Sequence, residues 1–364
     1  MKYYIIAGEA SGDVHGANLV HQIKKFDENA SFRGFGGTNL RREGVNTIKD
    51  ISEMSFMGFI EVLRGLFKVL QLLNLCKKDI LENKPDVIIL IDYPGFNLKI
   101  AKFAKKRNIK VIYYISPQIW AWHRSRVRLV KKYVDMMIPI LPFEKDFYEK
   151  YGINVEYFGH PLMDELVKYK GINFENEKSH IALLPGSRKS EIKKMLPVFC
   201  ETARINPQEK FIVAAMSIHQ ISFYEELLVD KPDNLVIEID KTIELLVGAK
   251  VALVTSGTAT LETAILHVPQ VVCYRTTKTS YYLARRLSKV KFICLVNLIL
   301  NRELIKELIQ NKCTPLAITG EMKKLLNDKN CVEEIMKGYD ELCEILNDAG
   351  ASERAAKAIV ENCP

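Results

Sequence analysis

The sequence has no CxxC pair, and the closest two of its eight cysteines are Cys331 and Cys343. A zinc ribbon and a thioredoxin-like redox centre are therefore excluded. It has no HExxH, although it contains seven histidines, so a zincin-type protease is excluded as well. GxxxxGK[ST] is missing, which removes the P-loop NTPases, and Gly8, Gly12 and Gly16 are spaced by four instead of as GxGxxG. No uncharged apolar run approaches the roughly 18 residues a membrane span requires. The opening MKYYIIAGEASGD turns polar too soon for a signal peptide. The cysteines accordingly read as reduced thiols of a cytoplasmic protein.

What is present is a chain of 364 residues, 48% hydrophobic and 26% charged, with a formal charge of +8. That length suits two domains. The basic excess favours phosphates or an anionic membrane. Nucleic acid is not an expected partner, since no RNP-like, zinc-finger or heptad pattern accompanies the charge.

Short runs rich in Val, Ile and Tyr alternate with helix-period segments, the pattern of βα units around a parallel sheet. Strands are predicted at 3–7, 87–91, 110–115, 181–184, 211–215, 235–239, 251–255 and 270–274. Helices are predicted at 14–25, 97–107, 189–204 and 261–267. The polar stretch 164–179 reads as a linker. The fold class is thus α/β, with two doubly wound domains, at 1–165 and 175–335, facing a cleft. In such sheets ligands bind outside the carboxyl ends of the strands, so the turns there carry the chemistry.

Ser256-Gly257-Thr258-Ala259-Thr260 links a strand to a helix. Its glycine allows close backbone approach and its hydroxyls can donate to phosphate. Glu262, one turn later, could accept from ribose hydroxyls. An ordinary N-cap explains the same residues. Pro185-Gly186-Ser187-Arg188 ends another strand, and Arg188 could hold a diphosphate bidentately or be a surface arginine. Together the two turns outline a nucleotide site. No acidic pair stands beside them, so no metal and no cofactor is expected.

Asp92 ends the apolar strand Val-Ile-Ile-Leu-Ile, placed either to take a proton from an attacking hydroxyl or to form an Asx-type turn before Pro94. Glu9, Ser11 and Asp13 occupy the first strand–helix turn, where Asp13 also suits a helix N-cap. The segment YISPQIWAWHRSRVR contains both tryptophans, with Trp122 and Arg124 fitting an anionic acceptor or a membrane interface. His160 lies in a Gly-His-Pro turn near the expected hinge, and a structural role suits it equally.

Residues 56–75, FMGFIEVLRGLFKVLQLLNL, confine Glu61, Arg64, Lys68 and Gln71 to one stripe. The apolar arc, including Phe56, Met57, Phe59, Ile60, Leu63, Leu66, Phe67 and Leu70, is wider than core packing alone requires. It suits a lipid surface or burial on two sides.

Taken in order, AGEASGD at 7–13, FRGFGGTNLRREG at 32–44, MGFIEVL at 57–63, IDYPGFN at 91–97, YYISPQIWAW at 113–122, LPFE at 141–144, FGHPLMD at 158–164, LLPGSR at 183–188, SGTATLE at 256–262, VVCYR at 271–275 and NRELIKELIQ at 301–310 resemble the lipid-A-disaccharide synthase family, glycosyltransferase family 19. The resemblance implies a GT-B fold, with a final helix (about 340–364) returning to the first domain. It implies transfer of 2,3-diacylglucosamine from UDP-2,3-diacylglucosamine to 2,3-diacylglucosamine 1-phosphate. The product would be the β-1,6-linked disaccharide 1-phosphate, made at the cytoplasmic face of the inner membrane by a peripheral protein, with a homodimer left open. Asp92 matches the family's critical aspartate, Arg188 its PGSR arginine, and Asn297 with Arg302 its essential polar pair. The stretch from Phe56 matches its membrane patch. Gly95 stands where many relatives carry an acid, Val296 where many carry proline, and His123 where an arginine is common. The readings that compete are a sister GT-B enzyme (a UDP-GlcNAc 2-epimerase or a muropeptide transferase) and a non-catalytic nucleotide-sugar binder.

Overall fold

The computed structural model describes residues 1–51, 61–122, 124–166, 169, 178–287 and 290–363. Two compact units emerge, Met1–Glu165 with Leu346–Pro364, and Leu166–Ile345. Most of the expected linker lies outside the described residues.

The first unit holds six parallel strands: β1 (Lys2–Ala7), β2 (Ser31–Phe35), β3 (Asn46–Lys49), β4 (Val87–Ile91), β5 (Lys110–Tyr114) and β6 (Met136–Ile138), in the order β3-β2-β1-β4-β5-β6. Alternate residues of the strands feed opposite faces. Tyr4, Ile6, Ile88 and Leu90 pack with Leu72, Leu73, Cys76 and Ile80 of helix Glu61–Asn83 and with Phe96, Ile100 and Ala101 of helix Pro94–Lys105. Tyr3, Ile5, Val87 and Ile89 pack with Leu19, Val20 and Ile23 of helix Ala10–Phe26 and with Ala355, Ala356 and Ile359 of helix Ala351–Glu361. Burial on both faces is why β4 is apolar throughout.

The second unit repeats the plan with β7 (His180–Leu184), β8 (Phe211–Ala215), β9 (Leu235–Ile239), β10 (Ala249–Thr255), β11 (Gln270–Tyr274) and β12 (Glu307–Ile309), ordered β12-β11-β10-β7-β8-β9. All pairings are parallel. The predicted strands are all present. The sequence reading missed β2, β3, β6 and β12, which are short or polar.

Asp164 fastens the returning C-terminal segment to the first unit. Its carboxylate accepts from the backbone N–H groups of Gly350 (2.5 Å), Ala351 (3.0 Å) and Ser352 (2.8 Å), the first turn of helix Ala351–Glu361, where negative charge is favoured. No described helix is long and apolar enough to cross a membrane.

Candidate active site

In the first unit, β1 and β4 are neighbours from which the strand order departs in opposite directions, the switch point at which such sheets bind ligands. Asp92 and Tyr93 follow β4 directly. Both adopt left-handed backbone, with φ of 43° and 46°, a conformation disfavoured for residues with a Cβ. Two buried side chains hold it. Asn97 Nδ2 donates to the carbonyls of Ile91 (3.1 Å) and Asp92 (2.8 Å), and Tyr113 Oη donates to the Asp92 carbonyl at 2.5 Å. Burial, then the Asp92 charge, push the Tyr113 phenol well up, so it stays a neutral donor. The Tyr93 ring lies over Gly8 at the end of β1; a Cβ on Gly8 would fall 2.5 Å from it. Burial, then Glu9, raise the Tyr93 pKa. The switch point therefore gathers Asp92, Tyr93 and the half-buried Glu9, with Ser11 exposed on the adjoining helix.

The remaining acceptor-side expectations fare differently. Helix Ala10–Phe26 starts before Asp13, which turns inward and is 1% exposed. Its carboxylate accepts from the N–H groups of Gly37 (2.6 Å), Asn39 (2.9 Å) and Leu40 (3.3 Å). It thus caps the short helix Thr38–Arg42 instead of its own helix or a ligand. His160 is also a scaffold residue. It is buried, its Nδ1 accepts from the Leu162 N–H at 3.1 Å, and burial followed by the neighbouring His15 pushes its pKa down to about 3. The side chains of Trp122 and Arg124 lie outside the described residues. Trp120 is buried, its indole donating to Glu144 Oε1 at 3.0 Å.

The second unit's two candidate phosphate turns close β7 and β10, adjacent in the sheet. Gly186 has φ of 104°, and a Cβ there would sit 2.6 Å from Glu191 Oε2. Glu191, one turn into helix Lys189–Arg204, accepts from Arg188 Nη1 at 3.1 Å and from the Arg188 N–H at 3.4 Å. The guanidinium is thus held at the mouth of the turn, its side chain still 41% exposed. His219, in the loop after β8, donates through Nε2 to the Ser187 carbonyl at 2.8 Å.

In the other turn, Ser256 Oγ donates to the Ile293 carbonyl at 2.9 Å. Gly257 is exposed, with no atom within 4 Å of an added Cβ. Thr258 stands at the N-cap of helix Ala259–Ile265 but its side chain makes no capping bond, so the N-cap explanation does not consume its hydroxyl. Glu262 is half-buried in the first turn of that helix.

Asn297 and Arg302 have structural partners. Asn297 is fully buried; its Oδ1 accepts from the N–H groups of Leu304 (2.9 Å) and Ile305 (3.0 Å), and its Nδ2 donates to the Ile305 carbonyl (2.8 Å) and Glu307 Oε1 (3.0 Å). Glu307 also accepts from the N–H groups of Ile293 and Cys294. Asn297 is therefore a positioning residue. Through Glu307 it holds segment 293–294, on which Ser256 of the second candidate turn rests. Arg302 forms a two-pronged ion pair with Glu341, at 2.9 and 2.5 Å, on the surface.

Sequence reasoning missed Glu191, His219, Glu307, Asn97 and Tyr113. Glu191 alone had a local signal, an acid three residues after a turn, the spacing that caps a helix start. Of the expected lipid-facing residues, Phe56, Met57, Phe59 and Ile60 lie outside the described residues, as do the side chains of Leu63 and Leu66. Phe67 and Leu70 are exposed, at 76% and 46%, opposite the helix face that buries Leu72, Leu73 and Cys76.

Residues 3–361 match the family model for lipid-A-disaccharide synthetase. The lipid-A-disaccharide synthase of Syntrophus aciditrophicus is 38% identical, the alignment covering 97% of this chain and 95% of the relative. That of Geobacter metallireducens is 36% identical over 98% and 96%. Among solved structures, the UDP-GlcNAc 2-epimerase of Neisseria meningitidis bound to UDP-GlcNAc superposes with a TM-score of 0.69 at 14% identity, each chain covered in full. The kitacinnamycin glycosyltransferase gives 0.65 at 12% identity, over 100% of this chain and 99% of the other; at these identities the likeness speaks to the fold alone. The fold is GT-B, and the chain is a glycosyltransferase that belongs to the lipid-A-disaccharide synthetase family.

Proposed function

We propose that the chain transfers 2,3-diacylglucosamine from UDP-2,3-diacylglucosamine to the C6 hydroxyl of 2,3-diacylglucosamine 1-phosphate. The donor is α-linked and the product β-linked, so one in-line displacement suffices. The acceptor oxygen bonds to C1, the bond from C1 to the diphosphate oxygen breaks, and UDP departs with the electron pair. Asp92 takes the hydroxyl proton. Glu9 and Ser11, beside it, orient the acceptor, with Trp122 and Arg124 meeting its phosphate and acyl chains.

In the second unit, the amides of Gly186, Ser187, Gly257, Thr258 and Ala259, the Thr258 hydroxyl and the Arg188 guanidinium receive the diphosphate, and Glu262 the ribose, while Ser256 braces the turn through its bond to the Ile293 carbonyl. Fixed donors of this kind stabilise charge growing on a leaving group without reorganising. Exposed Phe67 and Leu70 support contact with the lipid surface that holds both acylated substrates.

The observation that carries the reading is the clamped left-handed turn at Asp92, strain of the sort that collects at functional sites. The test is turnover by purified protein in detergent micelles with EDTA present. Disaccharide and UDP are the expected products. Asp92→Asn is expected to abolish turnover and leave UDP binding intact. Near-normal turnover in that variant would refute the assignment of the base.

A further inference from the structure

Between Glu262 and Glu303 the chain carries no acidic residue, yet Arg275, Lys278, Arg285, Arg286, Lys289 and Lys291 fall within one short stretch of it. Most of that stretch is helix Lys278–Leu287, which leaves the carboxyl end of β11. β11 neighbours β10, whose carboxyl end bears the Ser256–Ala259 turn. The segment's far end is joined to the same turn by the Ser256 bond to the Ile293 carbonyl. A cationic helix is thus attached at both ends to the donor-binding edge of the second unit.

Its described side chains suit one kind of surface. Arg285, Arg286 and Lys291 are exposed, and none has a carboxylate partner among the described residues. Tyr282 is 67% exposed, its ring edge-on to Tyr281 with centroids 5.8 Å apart. Tyrosine presents an apolar ring and a polar tip, a combination favoured at the headgroup level of a bilayer. Guanidinium groups pair with phosphate bidentately. A run of cations with no intervening acid is attracted to anionic headgroups over a Debye length. The folding of the unit does not account for this arrangement, because exposed cations without partners add nothing to its core.

We infer that helix Lys278–Leu287 is a docking surface for an anionic phospholipid bilayer, holding the donor-binding edge of the second unit against the membrane from which an acylated donor is drawn. Its purpose rests on the lipid-substrate reading above, whereas the binding itself does not. It differs in unit, in sequence position and in chemistry from the apolar stretch 56–75. That stretch belongs to the first unit and would insert by burial of apolar surface, a process that salt does not weaken.

The experiment is co-sedimentation of the full chain with vesicles of phosphatidylcholine alone and of phosphatidylcholine mixed with phosphatidylglycerol, across a salt series. The variants are Arg285→Gln/Arg286→Gln, Tyr282→Ser and, for the apolar stretch, Phe67→Ser/Leu70→Ser. The wild type is expected to prefer phosphatidylglycerol vesicles. The double arginine variant is expected to lose about thirtyfold in partitioning onto them, from the loss of two surface cations, and to show a weaker salt dependence. Its binding to phosphatidylcholine should be unchanged. Tyr282→Ser should weaken binding to both compositions, and Phe67→Ser/Leu70→Ser should leave the salt dependence intact.

Equal partitioning of wild type and double arginine variant onto phosphatidylglycerol vesicles overturns the inference. So does an undiminished vesicle response accompanied by loss of affinity for duplex RNA, which would give the helix to nucleic acid. Turnover in nonionic micelles separates the two readings. The double arginine variant should match the wild type there, and a wild type that docks but makes no disaccharide would refute only the substrate reading.

Discussion

Asn297→Ala separates a scaffold from a substrate contact. The side chain is fully buried and spends both lone-pair directions of Oδ1 and both hydrogens of Nδ2 within its own loop. Alanine leaves the Ile305 N–H and C=O, in a residue only 1% exposed, without partners, and each such group costs about 1–3 kcal/mol. The sum is about 4 kcal/mol. For a unit of about 180 residues, at roughly 2–4 °C per kcal/mol, the melting temperature of the second unit should fall by about 12 °C. Because Glu307 loses one of its three donors, segment 293–294 loosens and Ser256 with it. UDP affinity should therefore drop in step with stability. Asn297→Asp keeps both acceptor bonds but sets a carboxylate against Glu307, and should be destabilised as well. The assay is calorimetry, with UDP titration and turnover measured well below the new melting temperature. A variant that melts like the wild type and binds UDP normally, yet has lost turnover, would show Asn297 to touch substrate and would refute the argument.

Asp13→Ala removes an acceptor from three amides at a helix start; denaturant unfolding should show a loss of about 3 kcal/mol, while the KM for acceptor of the folded enzyme stays unchanged. Arg188→Lys keeps the charge and loses the fork, so calorimetric UDP affinity should fall about tenfold with little change in melting temperature, the side chain being exposed and its ion pair with Glu191 screened. Glu144 gives a pH prediction. Burial raises its pKa to about 7, against hydrogen bonds from the Leu141 and Ile140 N–H groups, Ser116 and the Trp120 indole that favour the anion, while the Tyr148 and Tyr157 phenols stand within its field. A folded-state pKa raised above the unfolded carboxylate value means that the native state holds the extra proton between about pH 4.5 and 7. Stability should fall by about 3 kcal/mol as pH rises through that window, and the slope should vanish in Glu144→Gln. An unchanged slope in that variant would assign the effect to another group.

Much of this architecture is legible because both sheets are covered on both faces. β4 and β8 are apolar at every position, so the sequence announces them without any periodicity. β3 and β12, at the sheet edges, read NTIK and ELI, too short and too polar for the same signal. The site residues divide along a similar line. Arg188, Asp92, Glu9 and the Ser256–Thr258 turn sit where a strand has just ended, and the place of a strand end can be counted from the strand. Asp13, His160 and Asn297 are polar as well, but their side chains are spent mainly on backbone groups, close in the chain for His160 and Asn297 and remote for Asp13. Asp13 is satisfied by amides 24 to 27 residues away, and no local pattern distinguishes a carboxylate so used from one that awaits a ligand. Whether the partner is near or remote, only the folded chain shows which carboxylates, imidazoles and amides are already occupied.

The two units solve the same geometric problem with different residues, and the difference supports the chemistry proposed for each. At the end of β7 the backbone needs positive φ, and Gly186 supplies it without strain. Glycine suffices there because the turn offers backbone amides, and a side chain would only displace Glu191. At the end of β4 the chain also needs positive φ, twice in succession, yet aspartate and tyrosine occupy the positions. Each costs on the order of 1–3 kcal/mol, and two glycines would avoid that cost. The strain is tolerated because Asn97 and Tyr113 over-determine the Asp92 carbonyl and the Tyr93 ring fills the space over Gly8. A carboxylate kept at a switch point against its backbone preference, with the backbone carbonyl of its own residue fixed by two buried donors, is a group whose position matters more than its stability. That is the requirement on a base that must meet one hydroxyl, whereas a diphosphate, with its charge spread over several oxygens, is served by any close array of N–H groups.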